Sequence, residues 1–179
     1  MTKIALIIGS LSRASINRTV AQHLAAQAPE GVVVEEVQIG DLPLYTQDLD
    51  SESIPAYERV RAQLQAADAV LIVSPEHNRS MPAAVKNLLD IASRPAGKSL
   101  WGGKKTAVIT ASPGSYGGIN SGLHIRQSLQ AMSADVMIAP EVFLSRAHTA
   151  LADGQVSDAR TAAFLNKFAA AFYAWAQAE

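Results

Sequence analysis

Short apolar or β-branched runs recur along this chain, each followed by residues at helical spacing, and that alternation limits the fold more than any single motif. Residues 4–8 are continuously apolar and stop at Gly9-Ser10, and residues 69–73 form a second wholly apolar run ending at Ser74-Pro75. Strands buried on both faces read this way, because helices cover both sides of their sheet. Residues 32–37 and 106–110 read as further strands, and 136–143 contains a fifth. Between them lie helical patterns. Ile16, Val20, Leu24 and Ala28 recur every four residues. Helices are also expected over about 56–66, from Pro82 to about 93, over about 120–131 and over about 158–178. The last carries Leu165, Phe168, Phe172 and Trp175 as a core stripe. Five strands alternating with helices imply an α/β fold with an open parallel sheet covered on both faces. Such sheets bind ligands beyond the carboxyl ends of the strands, where strand order reverses.

Composition narrows the class. The 179 residues suit one domain spanning 1–179. A net charge of −1 argues against a nucleic-acid binder, which carries a basic face. Only 17% of residues are charged, against about 25% in ordinary soluble domains, which points to surface hidden in a homo-oligomer. The absence of cysteine excludes thiolate chemistry, disulfides and iron–sulfur clusters, so redox work would need an organic cofactor. The four histidines are scattered and lack metal-ligand spacing, so no metal site is expected. The longest apolar run, 168–176, is nine residues, whereas a membrane span needs roughly 20. The run at 4–8 is too short for a signal-peptide core. The expected location is cytoplasmic.

The loops after strands one, three and four are chemically unusual. The first reads Gly9-Ser10-Leu11-Ser12-Arg13-Ala14-Ser15-Ile16-Asn17-Arg18. It leads from a buried strand into a helix, whose first N–H groups favour an anion. Helix capping accounts for one or two hydroxyls, but not for three serines, an asparagine and two arginines. The set suits a phosphate monoester, with neither the Walker loop nor the dinucleotide fingerprint present. The second loop reads Ser74-Pro75-Glu76-His77-Asn78-Arg79-Ser80-Met81-Pro82. Its prolines stiffen a backbone that offers alternating donors and acceptors to a planar heterocycle. The third, Ser112-Pro113-Gly114-Ser115-Tyr116-Gly117-Gly118, lets backbone approach a ligand closely, and Tyr116 offers a ring to stack on. Lys86, Asn87 and Asp90 read as helix surface or subunit contacts.

Together the segments at 9–17 and 74–82, with Ala-Val-Lys-Asn-Leu-Leu-Asp at 84–90, Asp-Leu-Pro-Leu-Tyr at 41–45 and the Gly-rich loop at 114–118, resemble the NADPH-dependent FMN reductase family, up to about residue 145. This resemblance implies a flavodoxin-like three-layer sandwich with a five-stranded parallel sheet in the order 2-1-3-4-5. It also implies bound FMN, with NADPH or NADH as electron donor. Matching positions for the phosphate are Ser10, Ser15, Asn17 and Arg18, with Ser12 and Arg13 as additions. Pro75, Glu76, His77, Asn78 and Arg79 match the ring-binding loop, and Ser112, Gly114 and Gly117 match the third loop. Tyr45 and Tyr116 are candidates for the acceptor pocket, and Arg79 for the NADPH phosphate. The family usually has Tyr where this chain has His77. The resemblance further implies dimers or tetramers and small-molecule acceptors such as quinones, chromate, azo compounds or free flavin.

A flavin carries the electron chemistry itself, so no dedicated catalytic side chain is expected. The competing reading is a flavodoxin-type electron carrier, disfavoured by the near-neutral charge. A receiver-like signalling module would need an acidic cluster at the strand ends, where this chain has Gly9-Ser10 and Ser74-Pro75. A phosphate-ligand hydrolase lacks a base and metal ligands.

Overall fold

Side chains alternate across each central strand, and that alternation splits the apolar residues between two cores. The computed structural model describes residues 1–178. Strand β1, Thr2–Ile8, sends Ile4, Leu6 and Ile8 to one face and Ala5 and Ile7 to the other. Strand β3, Ala69–Ser74, does the same with Leu71 and Val73 against Val70 and Ile72. Helices α1, Ile16–Ala25, and α5, Ala159–Gln177, cover the first face with Val20, Leu24, Leu165, Phe168 and Phe172. Helices α2, Pro55–Ala66, α3, Ala83–Ala92, and α4, Ile119–Ala131, cover the second with Val60, Leu64, Val85, Leu88 and Ile125. The Tyr173 hydroxyl donates to Leu24 O at 2.8 Å and ties α5 to α1; burial pushes its pKa up to about 12, so it stays a donor.

The sheet runs β2 (Val32–Glu36), β1, β3, β4 (Lys105–Ala111), β5 (Asp135–Val136), all parallel, which is the order the resemblance implies. Leu6 faces Leu71, which faces Ala107, so the central registers are level. The fifth strand, expected within 136–143, is split into two short pieces. β5 pairs with Lys105 and Thr106, the chain leaves the ladder, and β6, Val142–Leu144, rejoins β4 at Ile109. Pro140 lies in the gap, and proline has no N–H to give to a ladder.

The expected helices are all present, although α1 ends at Ala25, short of Ala28. A small hairpin, β7 (Leu151–Ala152) and β8 (Gln155–Val156), was not anticipated. Its turn residues Asp153 and Gly154 have φ of 49° and 74°, the geometry that Asp-Gly favours.

Candidate functional site

Strand order reverses at β1, between β2 and β3, so the loops after β1, β3 and β4 meet at one edge. Gly9 N–H closes the ladder onto Val73 O at 2.9 Å. A Cβ at Gly9 would stand 2.6 Å from Ser74 Oγ and 2.8 Å from Val85 Cγ2, so only glycine lets the first loop lie against the second. From Ser10 to Asn17, no backbone N–H meets a protein acceptor among the described residues. These unsatisfied donors surround the start of α1, where the helix dipole adds positive potential. Ser15 caps that helix, its Oγ accepting from Arg18 N–H at 3.1 Å.

Two residues expected at the phosphate have protein partners. The Arg18 guanidinium grips Glu36 on β2 with both nitrogens, at 2.7 and 2.9 Å. That hydrogen-bonded pair holds the Glu36 carboxyl below its usual range. Asn17 is 3% exposed. Its Nδ2 donates to Ala111 O at 3.1 Å and binds the first loop to the end of β4. Its Oδ1 is a buried acceptor with no donor, a state that normally costs stability unless a ligand or water completes it. Ser10, Leu11, Ser12, Arg13 and Ala14 are on the rim, partly or fully exposed. A cleft of about 400 Å³ runs from Arg13 and Ser15 to the β7–β8 hairpin.

The second loop is a closed turn. His77 N–H donates to Ser80 O and Ser80 N–H to His77 O, both at 2.9 Å. The two residues between, Asn78 and Arg79, have φ of 48° and 66°. Their N–H groups have no protein acceptor among the described residues. Glu76 is turned back into the protein: its Oε2 accepts from Asn120 N–H at 2.9 Å and sits at the N-terminus of α4. Ser80 Oγ meets His124 Nδ1 of the same helix at 3.0 Å.

The third loop is pinned below and open above. Thr110 Oγ1 donates to Gly117 O at 2.7 Å, and Ser112 Oγ accepts from Gly114 N–H at 3.1 Å. The N–H groups of Ser115, Tyr116, Gly117 and Gly118 have no protein acceptor among the described residues. The Arg79 guanidinium lies 4.6 Å from the centre of the Tyr116 ring and joins the second loop to the third. Tyr45 lies in the loop after β2 and is held to α3 through Asn87. Its hydroxyl donates to Asp50 at 3.0 Å, and it lines a cleft with Ile54, Tyr57, Arg94 and Pro95. Asn87, expected on the helix surface, is instead buried: its side chain binds Tyr45 N–H at 2.8 Å and Pro43 O at 2.9 Å, because the loop after β2 folds over α3. Neither Glu36 nor the hairpin figured among the expected site residues; the Asp153-Gly154 pair was the available signal for the latter.

The expected cofactor fits these features. The donor-rich first loop suits a phosphate, and the Asn17 Oδ1 lacks a donor that a ribityl hydroxyl carries. The free N–H groups of the second and third loops suit the acceptor atoms of a flavin ring.

Comparison with known proteins points the same way. The family model for NADPH-dependent FMN reductases matches residues 2–149. A quinone reductase of Pseudomonas putida is 42% identical over 173 residues, covering 96% of this chain and 93% of that protein. A 2-hydroxy-1,4-benzoquinone reductase of a Burkholderia species is 40% identical, covering 97% and 95%. Among solved structures, the flavoenzyme FerB of Paracoccus denitrificans, an NAD(P)H:(acceptor) oxidoreductase, superposes with a TM-score of 0.91 at 35% identity, covering 99% of this chain and 98% of that one.

Proposed function

This chain belongs to the NADPH-dependent FMN reductase family, and from that premise we propose that it is a quinone reductase whose three loops at the switch point hold the flavin. It is an FMN-dependent NAD(P)H oxidoreductase. The reading of quinones as acceptors draws on the relatives named for quinones and for 2-hydroxy-1,4-benzoquinone. NAD(P)H gives up a hydride, which is two electrons and one proton, and with a second proton from water the quinone leaves as a quinol. Bound FMN would supply the electron-transfer chemistry between the two.

The chain binds and orients. The unpaired N–H groups of 10–17 hold the phosphate, with Ser10, Ser12, Arg13 and Ser15 on its rim. Arg18 acts at one remove, because Glu36 neutralises it and fixes the helix start. Asn17 bridges the phosphate loop to β4 and offers its Oδ1 to the ribityl chain. Pro75, Glu76, His77, Asn78 and Arg79 form one wall for the ring, and Ser112, Gly114 and Gly117 the other. Glu76 sets the spacing of the walls through α4. The enzyme acts as one domain, as a homodimer or homotetramer, in the cytoplasm where its donor is held. The set of unpaired N–H groups on three converging loops is the observation that carries this reading. NADPH and NADH oxidation by the FMN-loaded protein, with a panel of quinones, is the test. Quinone-dependent turnover is expected; a protein that takes up no FMN on reconstitution overturns it.

A further inference from the structure

Arg79 is the second central residue of the closed His77–Ser80 turn, a position that requires a left-handed backbone and sets its side chain at the tip of the second loop. A φ of 66° is left-handed, which a bulky L-residue adopts only where its surroundings impose it. Asn78 beside it is a residue type that tolerates this region; arginine is not. The closed turn holds Arg79 at the tip of the second loop. From there its guanidinium rests on Tyr116, and its Nη1 lies 3.7 Å from Glu76 Oε1, beyond hydrogen-bond distance. The other Glu76 oxygen is committed to α4. The Arg79 side chain is 63% exposed. Arg18, Arg59 and Arg126 spend their donors inside the fold, on Glu36, on Asp41 and on two backbone carbonyls, whereas Arg79, at the tip of a site loop, makes no side-chain hydrogen bond among the described residues. Arg13, also on the loops, stands in the first loop with the phosphate groups.

We propose that Arg79 makes this enzyme favour acceptors that carry a negative charge on the quinone ring, such as ionised hydroxyquinones and quinone sulfonates, over neutral quinones. The inference rests on the reductase reading. A guanidinium keeps its charge at any working pH and meets an oxyanion with forked N–H pairs. Held against the Tyr116 ring, it already stands at the wall of the expected ring site, so less ordering opposes binding. The Tyr116 face is a weak partner that an oxyanion readily outcompetes, since hydrogen bonds between charged groups are the stronger kind.

The test compares the native enzyme with Arg79→Gln and Arg79→Lys, each loaded with FMN. The acceptors are 1,4-naphthoquinone and 1,4-naphthoquinone-2-sulfonate, with NADH and NADPH each as donor. Binding of redox-inert naphthalene-2-sulfonate is measured in parallel from its own fluorescence. Arg79→Gln is expected to lower the ratio of kcat/KM for the sulfonate to kcat/KM for the neutral quinone about tenfold, whatever it does to turnover of both. Naphthalenesulfonate binding should weaken by a similar factor, and Arg79→Lys should retain part of the preference. Equal losses on both acceptors overturn the proposal. So does an effect confined to the KM for NADPH, which would assign Arg79 to the donor's phosphate. If the native enzyme reduces neither quinone, the reductase reading fails, and the naphthalenesulfonate arm still decides whether Arg79 binds the anion.

Discussion

Asn17 and Arg18 are neighbours with different duties. Asn17 lies 97% buried between the first loop and β4, donating to Ala111 O and leaving Oδ1 without a donor. Asn17→Asp removes the donor and sets a carboxylate against a carbonyl and beside the phosphate loop. FMN affinity should fall by at least about tenfold, read by quenching of flavin fluorescence; unchanged affinity would remove the first loop from the site. Arg18 instead serves Glu36. A carboxyl held below its ordinary value of 4.5 adds stability above that pH and loses it as pH falls through the folded-state value. Glu36→Gln should therefore lower Tm at neutral pH, and the gap to the native protein should close as pH drops below about 4.5. The gap will be small, because the pair is about one-third exposed and solvent screens it.

The loops depend on the elements that anchor them. Gly117 has φ 62°, and a Cβ there would stand 2.5 Å from Phe143 O of β6. Gly117→Ala should push the third loop off β6, costing about 1–3 kcal/mol in denaturant unfolding and weakening FMN binding as well. Arg126 on α4 braces the broken fifth position. Its Nη1 donates to Met137 O at 2.7 Å and its Nη2 to Val108 O at 3.1 Å, both buried. Burial lowers its pKa, yet it stays charged because the carbonyls take its donors. Arg126→Ala strands two carbonyls and should cost about 2–4 kcal/mol, with Arg126→Lys recovering part. Equal stability of both variants and the native chain would leave the break held by Pro140 and β6 alone.

At the scale of the molecule, one sheet joins both cores, because β1, β3 and β4 contribute side chains to each. Neither core can open without breaking the strands of the other. A single cooperative transition is therefore expected, coincident by far-ultraviolet circular dichroism and tryptophan fluorescence. Trp101 reports the second core, its Nε1 donating to Leu89 O at 3.0 Å, and Trp175 packs against the first. Two separated transitions would mean that the sheet does not couple them.

Much of the fold was legible because burial is written locally. Continuous apolar runs mark strands covered on both faces, and four-residue spacing marks the helices over them. Those patterns placed the three loops at the strand ends, and the resemblance supplied the strand order. Polar partnerships were not legible in the same way. Asn17 meets Ala111 across 94 residues of sequence, Glu76 meets Asn120 across 44, and Arg18 finds Glu36 on another strand. Hydrogen bonds and ion pairs act over a few ångströms, so no local pattern names the partner until the sheet has set the distances. The sequence by itself determined the layers and the loops that converge. The tertiary structure decided which of their side chains are consumed in holding the fold, and which, like the Asn17 Oδ1 and the Arg79 guanidinium, make no hydrogen bond within it.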